Sequence, residues 1–472
     1  MADGDAEDGP MSTDVSDALM IGVSGMRGTV GGSLTPATVA RMAAAFADFL
    51  WSRRTDGRPP RVVFGRDSRP SGFYVRDAAA AALHAAGVEL VDLGVVTTPG
   101  VAMMVQHLEA DAGIVATASH NPIQWNGLKF LNEQAVAPPP QDVAEIRRRY
   151  DDGAARLVPV ERLVTPQQNS QTHALHVKRV LDRVDVLGVS TKAFKVVVDS
   201  VNGAGCVTSA TMLSKLGCRL VHLNNEPNGR FPHEPEPIAK NLTQLAEEVR
   251  RQKAAVGFAQ DPDADRLAVV DEQGVYIGEE YTLALAALFV MRKKPGTVAV
   301  TNLSTSRMID DIAAAHGGRV VRTPVGEAHV IDAMLREESI IGGEGNGGVI
   351  DPRIVRGRDS LVGMAYILQL MAETGKTISQ LVGEIPRYTI VKDKFECPRE
   401  QAERAVAAVA EAFAGEKIDL QDGVRIDWAD GWVSARASNT EPIMRIIAEA
   451  PEESAARERI AAVRKVVDAA LG

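Results

Sequence analysis

Short apolar runs alternate with longer amphipathic runs along most of the chain, and the alternation repeats one pattern three times. Each copy has a strand rich in β-branched residues, a polar or glycine-rich turn, a helix, a glycine and a second strand. The copies begin at residues 62–64, 195–199 and 298–300. Strands that alternate with helices are typical of parallel sheets covered on both faces. The pattern therefore predicts three similar α/β domains, although βαβ units are common and the repetition alone does not prove that the copies are related.

The last part of the chain follows a different pattern, in which strands and helices do not alternate regularly. Its segments are a strand at 388–391, a helix from 400 to about 414, strands at 431–436 and 444–447, and a helix at 453–470. Such a mixture in a short segment predicts a small α+β domain.

These patterns divide the chain into five parts. We predict a disordered acidic tail, three α/β domains and a smaller C-terminal α+β domain, over residues 1–18, 19–168, 169–276, 277–384 and 385–472 respectively. The tail lacks the basic and apolar segments of a signal peptide. The polar stretch 166–172 is the predicted linker between the first two α/β domains.

Composition excludes several classes of function. The chain has 472 residues, of which 45% are apolar and 24% charged, and a net charge of −10. Such a balance is ordinary for a globular protein and offers no basic surface for nucleic acid or an anionic membrane. Cys206, Cys218 and Cys397 lack the spacing of metal ligands, so we expect reduced thiols in a cytoplasmic protein.

Ser119 lies in the polar turn Thr-Ala-Ser-His-Asn-Pro, residues 117–122, after an apolar run. A serine there can carry phosphate covalently, but a hydroxyl is a weak nucleophile unless a neighbour or a metal activates it. His120 adjoins the serine, and Lys129 could clamp a phosphate or move a proton. Asn-Pro is equally typical of a structural turn, and Lys129 could be an ordinary surface lysine. These residues alone leave both interpretations open.

Three aspartates alternate in Asp-Pro-Asp-Ala-Asp-Arg, residues 261–266, between two apolar strands. In an extended segment Asp261, Asp263 and Asp265 would point the same way. Mg²⁺ prefers oxygen ligands and is typically shared between a few carboxylates and a phosphate. The alternative is a charged hairpin, which the repulsion of three like charges disfavours. The run therefore predicts a Mg²⁺ site.

Three weaker clusters each have an ordinary structural alternative. Arg-Ala-Ser-Asn-Thr-Glu, residues 436–441, offers a donor fork and hydroxyls to a phosphate, or caps a helix. Glu-Gly-Asn-Gly-Gly, residues 344–348, lets a ligand approach closely, or is a simple glycine turn. His329 ends a polar loop and alone would more often be a surface histidine. All follow strands, where ligand loops of α/β sheets gather, so together they predict one site for phosphoryl transfer.

These motifs, in this order and spacing, resemble the α-D-phosphohexomutase superfamily from about residue 20 to the C-terminus. The resemblance implies four domains around a central cleft and an intramolecular phosphotransferase. Ser119 would be the phosphoserine, and its phosphate would bind one Mg²⁺ together with Asp261, Asp263 and Asp265. Arg27 matches an active-site arginine, and His120 and Lys129 match residues that assist proton transfer. The residues implied to bind substrate are Arg266, His329, Glu344, Asn346, Arg436, Ser438, Asn439 and Thr440.

The implied reaction interconverts hexose 6-phosphate and 1-phosphate through a hexose 1,6-bisphosphate that is both intermediate and activator. The expected partner is a small-molecule sugar phosphate, and the expected assembly is a monomer or homodimer. Many glucose/mannose enzymes and bacterial phosphoglucosamine mutases have serine where Asn346 stands. Asparagine there looks more like the phosphoglucosamine mutases of the archaeal type and the acetylglucosamine phosphate mutases. We therefore favour phosphoglucosamine mutase, with phosphomannomutase or phosphoglucomutase as the alternative. A sugar-phosphate phosphatase and a sugar-phosphate-binding regulator are the remaining hypotheses.

Overall fold

The protein consists of four packed units, each built on one β-sheet, in a computed structural model that describes residues 18–22, 25–438 and 443–471. The first three units contain the predicted repeats, and the fourth is an antiparallel sheet with two helices in its described part. This arrangement confirms the predicted fold class. Apart from its last residue, the predicted acidic tail lies outside the described residues.

The first unit has a mixed sheet that positions the Ser119 turn. Its strands are β1 (Met20–Gly22), β2 (Gly25–Thr29), β3 (Arg61–Arg66), β4 (Glu89–Val95), β5 (Ala112–Ala116), β6 (Trp125–Leu131) and β7 (Gln167–Gln168). Its helices are α1 (Pro36–Arg53), α2 (Gly72–Ala85), α3 (Thr98–His107) and α4 (Pro140–Asp151). The strand order is β1-β2-β6-β5-β3-β4-β7, so β5 lies inside the sheet. Because β7 pairs with β4, the start of the predicted linker extends this sheet.

The second unit carries the three aspartates at the end of a buried hairpin. Its helices are α5 (Thr172–Leu181), α6 (Val186–Ser190), α7 (Cys206–Lys215) and α8 (Thr243–Gln252), and its strands are β8 (Lys195–Asp199), β9 (Arg219–Leu223), β10 (Val256–Gln260) and β11 (Leu267–Val270). The strand order is β11-β10-β8-β9. Strands β8, β9 and β10 are parallel, whereas β11 turns back antiparallel to β10.

The third unit repeats this arrangement around Glu344. Its strands are β12 (Val298–Asn302), β13 (Arg319–Thr323), β14 (Ile341–Glu344) and β15 (Gly348–Ile350), in the order β13-β12-β14-β15. Its helices are α9 (Glu280–Lys293), α10 (Met308–Ala315), α11 (Glu327–Arg336), α12 (Ser360–Thr374) and α13 (Ile378–Gly383). Strand β15 is antiparallel to β14, so Glu344 begins a tight reversal like that of the aspartates.

The fourth unit is an antiparallel sheet in the order β16-β20-β19-β18-β17. Its strands are β16 (Thr389–Glu396), β17 (Lys417–Asp419), β18 (Val424–Trp428), β19 (Gly431–Ala437) and β20 (Ile443–Ala450), and its helices are α14 (Arg399–Ala412) and α15 (Glu453–Leu471). Both helices pack on the sheet and on each other.

The first three units share a core, whereas the fourth has its own. One apolar cluster extends from Val63 in the first unit through Val196 in the second to Leu361 in the third. Helix α12 contributes ten of its fifteen residues to that cluster. The fourth unit packs around a separate cluster that includes Val433 and Ile446. Thus three units are held together by apolar burial, while polar contacts such as Arg307 N to Glu449 Oε1, at 3.0 Å, link the fourth unit to the third.

The three cysteines are free thiols, as expected. None of the helices within the described part of the chain is long and apolar enough to cross a membrane.

Candidate active site

Ser119 lies in the turn that leaves the carboxyl end of β5. Strand β5 is buried over its whole length, and the side chain of Ser119 is only 6% exposed. The backbone of Ser119 has φ of 50°, a left-handed conformation that few non-glycine residues adopt. Its hydroxyl donates to Asp261 Oδ2 at 3.0 Å and lies 3.3 Å from His120 Nδ1. The turn predicted to carry phosphate is therefore brought directly to the aspartate loop.

The aspartate loop converges for a different reason from the predicted one. We expected alternation in an extended segment, but the chain reverses between β10 and β11, and Ala264 has φ of 58°. Asp261 Oδ1 closes the reversal by accepting from the backbone N–H groups of Asp265 and Arg266, both at 3.1 Å. The three carboxylates offer oxygen atoms that lie within 4.8 Å of one another. The tight turn, not extended alternation, thus gathers them.

The three carboxylates fit a divalent cation. Each is almost completely buried, and the Oδ1 atoms of Asp263 and Asp265 have no hydrogen-bond partner within the described residues. Burial, followed by the neighbouring carboxylates, raises the pKa of Asp261 well above its ordinary value. Buried oxygen atoms of like charge are unfavourable without a compensating cation. Hard oxygen ligands in this arrangement are suited to Mg²⁺.

Thr98, at the start of α3, ties the aspartate loop to the first unit. Its hydroxyl donates to Asp263 Oδ2 at 2.6 Å, and its N–H donates to the carbonyl of Asp263 at 3.0 Å. This double contact fixes the orientation of one carboxylate while leaving its second oxygen for a cation.

Arg358 connects three carboxylates from different loops. Its guanidinium donates to Asp265 Oδ2 at 2.7 Å, to Glu327 Oε2 at 2.8 Å and to Glu344 Oε2 at 2.9 Å. Although burial disfavours the charged form, Asp265 and then the two glutamates hold the pKa of Arg358 well above its ordinary value. Burial would likewise raise the pKa of Asp265, but Arg358 and Lys129 outweigh it and lower that pKa. Arg358 therefore joins the aspartate loop to the Glu344 loop.

The candidate proton-transfer residues lie around the same carboxylates. Burial and the nearby cation Arg266 lower the pKa of His120 to about 3, so its imidazole is neutral at neutral pH. Lys129 Nζ lies 4.0 Å from Asp265 Oδ2 and 3.9 Å from Glu327 Oε1. Burial lowers the pKa of Arg27, whose charge is favoured by Asp263 and Asp265. Lys129, Arg27 and Arg266 therefore place positive charge around the aspartate carboxylates, beside the neutral imidazole of His120.

The predicted sugar-binding residues of the third unit lie at the end of β14, in the reversal that follows it, and at the start of α11. Glu344 Oε1 accepts from Asn302 Nδ2 at 2.9 Å. Asn346 follows in the same reversal, and its Oδ1 is buried without a partner among the described residues. His329 is exposed on the first turn of α11. The structure thus brings Glu344 into the carboxylate cluster through Arg358 and leaves His329 on a neighbouring surface.

The predicted phosphate loop of the fourth unit is described only in part. Arg436 lies on β19, with Nη1 3.9 Å from Asp422 Oδ2. Burial lowers the pKa of Arg436, and Glu344 is among the carboxylates that counteract this effect. The N–H of Ser438 donates to the carbonyl of Ile443 at 2.8 Å. Asn439 and Thr440 lie outside the described residues.

Sequence reasoning did not single out Arg358, Glu327 or Thr98. A first signal for Arg358 is its position immediately before Asp359, which caps the apolar helix α12. A second signal is Gly348, where a Cβ atom would lie 2.2 Å from Cδ of Arg358. The absence of a side chain at Gly348 therefore leaves space for this arginine.

Comparison with known families adds an independent observation. Family models described as phosphoglucomutase/phosphomannomutase match the chain in four segments, namely α/β/α domain I at residues 18–156, domain II at 174–274, domain III at 278–388 and the C-terminal domain at 393–466. These models cover most of the chain.

Individual relatives match over nearly their whole length. A phosphoglucomutase/phosphomannomutase of Thermococcus kodakarensis is 38% identical over 458 residues, which cover 96% of this chain and 99% of the relative. A probable phosphoglucosamine mutase of Methanopyrus kandleri is 38% identical over 441 residues, covering 93% of this chain and 95% of the relative. The crystal structure of a phosphoglucomutase/phosphomannomutase family protein from Burkholderia thailandensis has a TM-score of 0.83 at 26% identity and covers 96% of this chain and 97% of that protein.

Proposed function

The chain belongs to the phosphoglucomutase/phosphomannomutase family of phosphohexomutases, and we propose that it interconverts the 6-phosphate and 1-phosphate of an amino hexose through a phosphate carried on Ser119. The observation that carries this proposal is the 3.0 Å contact between the hydroxyl of Ser119 and Asp261. A serine beside a buried group of carboxylates able to hold a cation is suited to phosphoryl transfer.

In the proposed reaction the phosphate on Ser119 moves to a free hydroxyl of the hexose phosphate. The bond between phosphorus and the serine oxygen breaks and a bond to the sugar oxygen forms. The sugar hydroxyl gives up its proton, and the serine oxygen takes one up. His120 and Lys129 are the proposed proton carriers because they lie beside Ser119 and Asp265 respectively. The resulting hexose 1,6-bisphosphate reorients and returns its other phosphate to Ser119.

The remaining residues of the proposed site would offset the negative charge of the two phosphates of the substrate. Mg²⁺, bound by Asp261, Asp263 and Asp265 with the phosphate on Ser119, would neutralise negative charge on the transferred group. Arg27, Arg266 and Lys129 supply further positive charge from the protein. We propose that Arg436, with Ser438, Asn439 and Thr440, holds the phosphate that is not being transferred, because a guanidinium binds a phosphate through two parallel hydrogen bonds.

The proposed sugar is an amino hexose, and the alternative is glucose or mannose. Asn346, whose Oδ1 is buried and unpaired within the described chain, supports the first, as does the name of the Methanopyrus kandleri relative. The name of the Thermococcus kodakarensis relative supports the second. We assign Glu344, Asn346 and His329 to the sugar because their loops follow strands of the third unit.

A coupled assay with four substrates tests both levels of the proposal. The 6-phosphates of glucosamine, N-acetylglucosamine, glucose and mannose are compared by kcat/KM, with Mg²⁺ and the matching bisphosphate present. We expect isomer formation with the highest kcat/KM for glucosamine 6-phosphate. A higher kcat/KM for glucose 6-phosphate or mannose 6-phosphate would change the assigned substrate but would still support a mutase reaction. Steady phosphate release without isomer would indicate a phosphatase, and binding without turnover a regulatory protein.

Reorientation of the intermediate requires some opening of the site, and we propose that the fourth unit moves. Its separate apolar core supports this proposal, because motion would not break the cluster shared by the other units. Small-angle scattering with and without hexose 1,6-bisphosphate should show a more compact protein with the ligand. Identical profiles would argue against the motion.

We propose three further properties, which are a cytoplasmic location, the absence of a nucleic-acid partner and a monomeric or homodimeric assembly. The three free cysteines support a cytoplasmic location, and the net charge of −10 supports the absence of a nucleic-acid partner. A monomer or homodimer remains the expected assembly, which light scattering of the purified protein would determine.

A further inference from the structure

Arg69, in the turn after β3, holds the backbone of the phosphoserine loop. Its side chain is completely buried. Nη2 donates to the carbonyls of Ser119 and Asn121, both at 2.6 Å, and Nη1 donates to those of Pro122 at 2.6 Å and Trp125 at 3.1 Å. Nε donates to Asp67 Oδ2 at 3.0 Å. All five N–H groups of the guanidinium are thus used, four of them on one loop.

The same cluster holds Ser119 from its other side. The N–H of Ser119 donates to Thr117 Oγ1 at 2.8 Å, and Thr117 donates in turn to Asp67 Oδ2 at 2.7 Å. Ser119 has φ of 50°, a conformation that persists only where surrounding contacts enforce it. Thr117, which is held by Asp67, accepts from the amide of Ser119, and Arg69 donates to its carbonyl. In the conformation that these contacts fix, the hydroxyl of Ser119 points at Asp261.

The cluster also lies where the first and second units meet. Phe231 of the second unit lies beneath the guanidinium, with its ring centre 4.9 Å from the carbon of Arg69. The hydroxyl of Ser68 donates to the carbonyl of Asn202 at 2.7 Å. Gly229 has φ of 68°, and a Cβ atom there would lie 2.3 Å from the carbonyl oxygen of Ser68. The residues that hold the Ser119 loop therefore pack against the second unit, which also carries the aspartates.

We propose that Arg69 is a positioning residue for phosphoryl transfer, which it serves by fixing the backbone of Ser119 so that the serine oxygen faces the aspartate loop and the incoming sugar. This inference rests on the proposed function. Arg69 has no donor left for a substrate, so its loss should slow the transfer step and leave sugar binding intact. A lysine cannot replace it, because one ammonium group cannot reach four carbonyls spread along a loop.

Three variants test the proposal by steady-state kinetics below the melting temperature of each protein. Arg69→Lys should lower kcat about 100-fold, the effect of a displacement of about 1 Å, while KM stays within about twofold. Thr117→Val should also lower kcat, because it removes the oxygen that accepts the hydrogen bond from the amide of Ser119. Arg61→Lys is the control, because Arg61 lies at the opposite end of β3 and donates to the carbonyl of Leu108 at 2.8 Å. Its kinetics should match those of the original protein.

A single-turnover measurement separates positioning from general support of the fold. Phosphate transfer from hexose 1,6-bisphosphate to Ser119, followed by mass spectrometry of the peptide, should be slow in Arg69→Lys although the protein is folded by circular dichroism. A normal transfer rate and an unchanged kcat in folded Arg69→Lys would overturn the positioning role. If that variant does not fold, an unchanged kcat in Thr117→Val overturns it. An unmodified protein that forms no isomer would overturn the proposed function, and the inference with it.

Discussion

The hydroxyl of Ser119 donates to Oδ2 of Asp261 at 3.0 Å, although 142 positions separate the two residues in sequence. The contact joins the turn after β5 of the first unit to the turn after β10 of the second. Both turns contain a residue in a left-handed conformation, Ser119 with φ of 50° and Ala264 with φ of 58°. Two tight reversals at strand ends therefore place the hydroxyl of Ser119 beside a group of carboxylates that could hold a cation.

Removal of one carboxylate should abolish the effect of Mg²⁺ on stability. In Asp263→Asn the group loses a charge that Mg²⁺ would compensate. For the unmodified protein we expect Mg²⁺ at a hundred times its Kd to raise the free energy of unfolding by about 2.7 kcal/mol. Thermal unfolding in Mg²⁺ and in EDTA measures this, with Asp142→Asn, a buried carboxylate of α4 paired with Arg53, as the control.

In EDTA, Asp263→Asn should also be more stable than the protein with its original sequence, because fewer like charges are buried together. An unmodified protein whose melting temperature does not change with Mg²⁺ would contradict the assignment of the aspartate loop as a metal site.

Loss of Arg358 should destabilise the protein as well as inactivate it. Arg358→Met would leave Asp265, Glu327 and Glu344 without their common cation. Removing one partner from a buried ionic cluster typically costs about 3–5 kcal/mol. Urea unfolding should show a loss of this size, and Mg²⁺ should recover part of it by compensating Asp265. A loss below about 1 kcal/mol, the range of a surface ion pair, would contradict the central role of Arg358.

Glu280 should make stability fall as pH rises. Burial raises its pKa from 4.5 to about 8. Glu280 Oε2 accepts from the N–H of Ser306 at 3.0 Å, and the neighbouring charges are Glu279, Lys392 and Glu449. The folded state therefore binds the proton more tightly than the unfolded state, so stability present below pH 4.5 is lost progressively up to about pH 8.

The variant Glu280→Gln isolates this effect. Its free energy of unfolding should depend less on pH between 5 and 8 than that of the original protein, by at most about 1.4 kcal/mol for each pH unit. Urea unfolding at several pH values measures the difference. Parallel curves for the two proteins would show that Glu280 does not hold its proton in the folded state.

The sequence was sufficient to propose roles for residues whose side-chain type and neighbours already indicate their chemistry. Ser119 and the aspartates stand in short runs that already suggest a phosphate carrier and a cation site. The fold class followed from the repeated alternation of strands and helices, because burial on both faces of a sheet leaves that pattern in the sequence.

Other features could not be inferred, because they depend on contacts between distant segments. Arg358 bonds to Asp265, which is 93 positions away, and Arg69 bonds to the carbonyl of Ser119, which is 50 positions away. An arginine that bonds backbone carbonyls leaves no pattern of partner residue types in the sequence. The left-handed conformation of Ala264 could not be inferred either, since an alanine does not signal such a conformation as a glycine would.

Ser119 is the residue on which the proposed reaction depends, because it carries the transferred phosphate. We expect Ser119→Ala to keep the fold, because the change removes one partly paired hydroxyl, and to lose turnover entirely. Ser119→Ala should also show no phosphate on the peptide that contains position 119 after incubation with hexose 1,6-bisphosphate. Asp142→Asn should be labelled and active like the unmodified protein.

The most direct measurement is mass spectrometry of that peptide, with the isomerisation rate determined on the same samples. We expect one added phosphate on Ser119 of the protein with its original sequence, and loss of that phosphate when excess hexose phosphate is added without bisphosphate. Ser119→Ala should show no isomerisation. Full turnover by Ser119→Ala, or turnover by the unmodified protein with phosphate never found on Ser119, would contradict the proposed role of Ser119.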